Sequence, residues 1–253
     1  MKFKTKRYLS FLVLGSLLLC CGCTADKQEK GKNNTQKEKS IKIACVGDSL
    51  TEGIGAENWQ DGDFSGAYPQ QLGLILGDDF EVGNFGKGSS YVWNKSGRDK
   101  TLWYPNTAAY SKSNKFNADY VIIMLGTNDA RVTKSLADAD SFKMEFCKIV
   151  EHYLDLPSKP DVIIATGTPM KRYDMKKQQT EKDWLERDPL YINYIFPMLQ
   201  DVAKEYSLQF IDVYHGLYDE FTRSNDYFAS DALHPNSSGY RIIAEYIAKK
   251  IVF

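Results

Sequence analysis

The chain has little of several things, and each shortage closes off a class of chemistry. It holds 5 cysteines in 253 residues, and Cys20, Cys21 and Cys23 crowd the amino terminus. Only Cys45 and Cys147 remain in the body, too few for a disulfide scaffold. Positive charge is not in surplus: the formal net charge is −1, so no phosphate-binding face and no nucleic-acid partner are expected. There is no His-Glu-x-x-His pair and no Cys/His cluster with ligand spacing, so neither a metal nor a cofactor is expected. Histidine is scarce, with 3 in total, so imidazole chemistry must use His152, His215 or His234. The apolar run Leu9–Leu19 is short for a membrane span.

What is present begins with that run. Lys2, Lys4, Lys6 and Arg7 precede it, and Gly22 follows it, as in a secretory signal. The Cys-Cys-Gly-Cys end resembles a bacterial lipoprotein signal, in which the cysteine after the cleavage site is lipidated. Residues 1–22 are then the signal peptide, with Cys23 as the lipidation site; Cys20 and Cys21 are alternatives. Residues 23–39 hold the lipidated cysteine and a polar segment without large apolar groups, expected to act as a flexible tether. The domain is expected to span 40–253, outside the cytoplasm and anchored by lipid to a bacterial membrane, facing either the periplasm or the cell surface.

Within 40–253, apolar runs alternate with amphipathic stretches. Ile41–Val46, Phe80–Asn84, Tyr120–Leu125, Asp161–Thr166 and Gln209–Val213 read as strands. Runs such as Tyr120–Leu125 are apolar throughout, as in strands covered on both faces. Tyr68–Leu76, Leu136–Leu156, Pro189–Tyr206 and Ser237–Ile251 have helical spacing, and Pro197 is expected to kink the third. This alternation predicts an α/β fold: a five-stranded parallel sheet with helices on both faces. Ligands in such folds sit beyond the carboxyl ends of the strands. The polar, reactive residues cluster there: Gly47-Asp48-Ser49-Leu50-Thr51-Glu52-Gly53, then Asn84-Phe85-Gly86-Lys87-Gly88-Ser89, then Gly126-Thr127-Asn128-Asp129, and finally Asp231-Ala232-Leu233-His234-Pro235.

A serine hydroxyl is a weak nucleophile until a base takes its proton. His234 is the best candidate base, because His152 lies inside a helical stretch and His215 stands just past the last strand. The missing second glycine after Ser49 disfavours the Gly-x-Ser-x-Gly elbow of ordinary α/β-hydrolases. Together the four blocks resemble the GDSL or SGNH hydrolase superfamily, in order across Ile41–Phe253. The resemblance implies a three-layer, flavodoxin-like α/β/α fold and a Ser49–His234–Asp231 triad. It also implies an oxyanion hole built from the Ser49 N–H, the Gly86 N–H and the Asn128 side-chain amide. Asp48 is expected to be structural.

The ester is less well marked. The pattern looks most like secreted bacterial members described as sialate O-acetylesterases or acetylxylan-type esterases, which implies a serine esterase acting on small O-acetyl esters of sugars or glycans. A lysophospholipase or thioesterase acting on longer acyl chains is the alternative. Another is a glycan-binding lipoprotein without activity. Two segments stand near the expected cleft. One carries Tyr91, Trp93, Trp103 and Tyr104; the other carries Arg172, Tyr173, Trp184 and Arg187. Each suits either sugar binding or the packing of a long loop.

Overall fold

A computed structural model describes residues 40–170, 186–231 and 233–253. The signal, Cys23 and the tether therefore lie outside the described residues, as do Arg172, Tyr173 and Trp184. Among the described residues no helix is long and apolar enough to cross a membrane.

Five strands form one parallel sheet: β1 (Ile41–Gly47), β2 (Phe80–Gly86), β3 (Tyr120–Met124), β4 (Asp161–Ala165) and β5 (Gln209–Ile211). Their order is β2-β1-β3-β4-β5, the flavodoxin-like doubly wound arrangement. Between and after them run α1 (Ser49–Glu52), α2 (Tyr68–Leu76), α3 (Ala108–Lys115), α4 (Leu136–Leu154), α5 (Asp188–Leu190), α6 (Phe196–Glu205), α7 (Val213–Gly216), α8 (Tyr218–Arg223) and α9 (Ser237–Lys250).

Side chains alternate across each strand, so the continuous apolar runs feed two cores at once. Ala44, Val46, Val121, Ile123, Val162 and Ile164 meet α4 and α6 through Phe142, Phe146, Ile149, Leu199 and Val202. Ile43, Cys45, Ile122, Met124, Ile163 and Ala165 meet α2 and α9 through Tyr68, Leu72, Tyr240, Ile243 and Ile247. Burying each large aliphatic side chain contributes about 1.5–3 kcal/mol. Cys45 is wholly buried, and burial pushes its thiol pKa up to about 12; Cys147 is half-buried, and both are free thiols.

Strand and helix ends differ from the sequence reading by a residue or two, and three differences have a clear physical cause. Asp212 ends β5 early because its carboxylate accepts from His215 N at 2.9 Å and starts α7. The segment around Pro197 is divided: a π-helical turn over Tyr191–Ile195 precedes α6, and Pro197 falls in the first turn of α6. A proline is tolerated there because the first amides of a helix have no carbonyl to reach. The segment between β2 and β3 also contains α3, which the sequence reading had not resolved. Its start is capped by Thr107 Oγ1, which accepts from Tyr110 N at 3.2 Å.

The strand order reverses between β1 and β3. The chain leaves β1 straight into Ser49 and leaves β3 into Asn128, so both face the crevice at the switch point.

Candidate active site

Ser49 is set by the residue before it. Asp48 caps α1, with its Oδ1 accepting from Leu50 N at 3.0 Å, and it is completely buried. Burial pushes its carboxyl pKa up to about 6, against the opposing pull of the Leu50 N–H and the positive charge of Arg187. Ser49 is the first residue of this short helix, so its own N–H has no carbonyl a turn earlier to bond. No partner for that N–H occurs among the described residues. The helix closes at Gly53, whose φ of 98° is left-handed, and Tyr240 Oη anchors the exit by donating to Ile54 O at 2.7 Å.

His234 and Asp231 arrive from the loop before α9. Two backbone bonds hold that loop: Ala229 N to His234 O at 2.8 Å and Asn236 N to Tyr227 O at 3.0 Å. Asn236 then caps α9, accepting from Gly239 N at 2.9 Å. The Asp231 carboxylate accepts from the backbone N–H of Leu233 and of His234, each at 3.0 Å, which folds the loop back on itself. Its other oxygen lies 2.6 Å from His234 Nδ1, and His234 Nε2 lies 2.9 Å from Ser49 Oγ. Partial burial opposes ionisation of Asp231, yet the hydrogen bonds from His234 and Leu233 outweigh it and bring its pKa down to about 2. An anionic Asp231 requires a proton on Nδ1 of the imidazole, leaving Nε2 free to accept the Ser49 proton.

Asn128 is held on every side. Arg187, only 4% exposed, donates from Nε to Thr127 O at 3.0 Å and from Nη2 to Asn128 Oδ1 at 2.9 Å. A guanidinium only donates, so the oxygen of the Asn128 amide must face Arg187 and the nitrogen must face away. That nitrogen donates one hydrogen to Ser90 O at 2.9 Å and keeps a second. The next residue, Asp129, is wholly buried and receives the N–H groups of Val92 and Trp93 and the Arg98 guanidinium at 3.0 Å. Asp129 thereby ties the segment after β2 to the turn after β3.

Beside Ser49 lies a small cleft, bordered by Leu50, Thr127, Thr168, Met170, Arg187, Leu233 and His234. Ser49, Asp231 and His234 thus stand in one hydrogen-bonded series, with Asn128 next to Thr127 on the cleft wall. Arg187, one of the two readings offered for its segment, packs against the Asn128 turn and the cleft. The aromatic insertion mostly packs against itself. Trp103 Nε1 donates to Val92 O and Tyr104 Oη to Phe85 O, and Tyr91 and Tyr104 are buried. None of the four aromatic residues of that insertion borders the cleft.

Gly86 requires a correction. Its N–H is already donated to Asn84 Oδ1 at 3.0 Å, so it is not available to an oxyanion. Its missing Cβ serves another purpose: a Cβ there would run into the backbone of Thr51 and Glu52, so glycine lets β2 approach α1. Three residues on, Ser89 adopts a left-handed φ of 62°, and its N–H has no partner among the described residues. Glu52 holds this turn by accepting from Gly88 N. The sequence offered no signal for it, because glycine or asparagine, not serine, usually marks that conformation.

The other histidines stand apart. His152 packs edge and face against Tyr110 and Tyr153, and burial lowers its pKa. His215 pairs with Asp212 at 2.8 Å and does not border the cleft.

Known proteins agree with this architecture. A carbohydrate acetylesterase family member from Sinorhizobium meliloti superposes with a TM-score of 0.60 at 18% identity, covering 83% of this chain and 96% of that one. A lipase/acylhydrolase from Enterococcus faecalis superposes with a TM-score of 0.56 at 18% identity, covering 83% and 95%. At such identities the likeness concerns the fold alone, a parallel α/β sheet with helices on both faces. The GDSL-like Lipase/Acylhydrolase family matches residues 45–242, and the chain belongs to that family of carboxylic-ester hydrolases. An acetylxylan esterase from Xylanibacter ruminicola is 30% identical over 232 residues, 85% of this chain. The match spans 44% of that relative's length.

Proposed function

We propose that this domain is a serine esterase that removes acetyl groups from the hydroxyls of glycans. The observation that carries the proposal is the unbroken Asp231–His234–Ser49 hydrogen-bonded series opening on a short cleft. Ser49 Oγ attacks the ester carbonyl carbon while His234 Nε2 takes the hydroxyl proton. Asp231 keeps the imidazole in the right tautomer and stabilises the imidazolium. The oxyanion receives hydrogen bonds from the Ser49 N–H, the second hydrogen of Asn128 Nδ2 and, in place of Gly86, the Ser89 N–H. The sugar hydroxyl departs with the proton from His234, leaving acetyl-Ser49. Water, activated by His234, then releases acetate and restores the serine.

Two observations favour acetyl over longer acyl groups. The cleft beside Ser49 is small among the described residues, and a relative of 30% identity is an acetylxylan esterase. A lysophospholipase or thioesterase needs room for a long chain, and a binding protein without activity has no use for the intact series. The amino-terminal pattern supports a lipid-anchored domain outside the cytoplasm, tethered through Cys23; mass spectrometry of the membrane-derived amino-terminal peptide tests that.

The deciding experiment compares p-nitrophenyl esters from acetate to palmitate, and acetate release from acetylated xylan, for the wild type and Ser49→Ala. Acetate preference with Ser49-dependent release from xylan is expected. A preference for long chains would move the function to lipids, and no turnover at all would leave a binding protein.

A further inference from the structure

A second concavity borders the oxyanion side of the site. It is an open groove of about 450 Å³, bounded by Glu52, Ile54, Trp59, Gln60, Phe64, Lys87 and Ser89, with Gly62 and Gly88. That volume lies within the range of small-molecule sites. Two of its wall residues lie close to the reacting centre in the chain or by hydrogen bonding. Ile54 N donates to Ser49 O at 3.1 Å, one turn from the nucleophile. Ser89, whose N–H is the third oxyanion donor in the reading above, forms part of the wall.

The loop that supplies Trp59 is tightly built although no strand requires it. Asn58 and Gly62 take left-handed φ values of 59° and 80°, and bracket a single turn over Trp59–Asp61. Glu57 N donates to Ser237 Oγ at 2.8 Å, which pins the loop to the start of α9. Trp59 is therefore presented on a fixed platform, one side packed on the core and the other on the groove. The polar groups around it are unspent: the Trp59 indole N–H, the Gln60 amide and the Lys87 ammonium make no hydrogen bond or ion pair among the described residues. An aromatic face ringed by unused donors and acceptors matches a pyranose ring, whose C–H face is apolar and whose rim is hydroxyls.

We propose that this groove binds the glycan backbone that carries the acetyl group, with one pyranose ring against Trp59 and its hydroxyls bonded by Gln60 and Lys87. The proposal rests on the acetyl-glycan reading and names where the leaving group lies. The groove and the cleft beside Ser49 then divide the substrate, the cleft taking the acetyl methyl and the groove taking the sugar.

The test compares wild type, Trp59→Ala, Trp59→Phe and Lys87→Ala on methyl acetate and on acetylated xylo-oligosaccharides. The methoxy leaving group of methyl acetate is too small to reach Trp59, so this ester serves as the folding control. Trp59→Ala is expected to lower kcat/KM on the oligosaccharides about tenfold, equivalent to about 1.4 kcal/mol. The methyl acetate rate should stay within about twofold, while on the oligosaccharides Trp59→Phe recovers part of the loss and Lys87→Ala loses less, as expected when a ring supplies most of the contact. Equal losses on both substrates, or unchanged oligosaccharide turnover, would overturn the groove. If the wild type releases no acetate from any saccharide, the esterase reading fails by itself. Calorimetry of unacetylated xylo-oligosaccharides with Ser49→Ala then decides the groove: heat abolished by adding Trp59→Ala supports it, and no heat removes it.

Discussion

Arg187 Nη2 donates to Asn128 Oδ1 at 2.9 Å, and together with the bond from Asn128 Nδ2 to Ser90 O it sets which way the amide faces. Without it only the bond from Asn128 Nδ2 to Ser90 O opposes a flip that would turn the amide oxygen toward the cleft, where an acceptor would repel a developing oxyanion. Arg187→Gln is expected to lower kcat on p-nitrophenyl acetate by about 10–100-fold with KM within about twofold, less than the roughly 10²–10³-fold expected of Asn128→Ala. Arg187→Lys should not restore the rate, because an ammonium cannot reproduce the Nε and Nη2 pair. The double variant should be no worse than Asn128→Ala alone; full additivity would mean that Arg187 acts elsewhere.

The proton path makes its own demands. Ser49→Ala and His234→Ala should each reduce turnover by several orders of magnitude, and Asp231→Asn by about 10⁴-fold through the wrong tautomer. His152→Ala, in its aromatic packing, should leave kcat/KM within about twofold. Comparable losses for His152→Ala and His234→Ala in steady-state assays would reject His234 as the base.

Gly86 packs against α1 and Ser89 is the oxyanion donor proposed in its place, and variants separate them. Gly86→Ala drives a Cβ into the Thr51–Glu52 backbone and should cost about 1–3 kcal/mol of stability in urea denaturation. Ser89→Gly keeps both the N–H and the left-handed backbone, so its kcat should match wild type. Ser89→Val, β-branched at positive φ, should lower kcat at least tenfold. A Ser89→Val enzyme of normal rate would take Ser89 out of the oxyanion site.

Buried Asp48 gives stability a signature against pH. Its carboxyl titrates near 3.8 when unfolded and at about 6 in the fold. Below pH 3.8 it is neutral in both states and its contribution is full. Between 3.8 and about 6 the unfolded chain releases the proton first, so stability falls, and above that it levels. Asp231, brought down to about 2, acts in the opposite sense: its contribution is full above pH 3.8 and is lost as pH falls through 2. Asp48→Asn keeps an oxygen to cap α1 while removing the titration. The wild type should therefore lose on the order of 2 kcal/mol relative to Asp48→Asn between pH 4 and 6, out of about 3 kcal/mol over the full titration. Parallel denaturation curves for the two proteins across that range would contradict the shifted carboxyl.

Much of this protein was legible in its sequence because the signals were local. Continuous apolar runs such as Tyr120–Met124 mark strands buried on both faces, and a period of two distributes their side chains to both cores without further information. The Asp-x-x-His spacing is local as well: three residues suffice for Asp231 to bond both the backbone and the ring of His234. Even the pairing of Ser49 with His234 followed from residue types and strand ends, since parallel sheets collect their loops at one edge.

What only the tertiary structure decided depended on backbone direction and on neighbours distant in sequence. Whether Gly86 served substrate or packing was set by α1 lying against β2, a contact that no spacing encodes. The left-handed turn at Ser89 was hidden because serine does not advertise positive φ. Arg187 read equally as a sugar ligand or a packing residue, and was placed beside Asn128 only by the fold that brings the two segments together. The aromatic insertion was taken inward by Val92 O and Phe85 O, while Trp59, unremarkable in the sequence, was left at the groove. Local pattern fixes which chemistry is carried, because the reacting groups are few and adjacent to strand ends. Orientation of donors and the shape of the clefts emerge only when remote segments pack, because hydrogen bonds are directional and cavities are bounded by many elements at once.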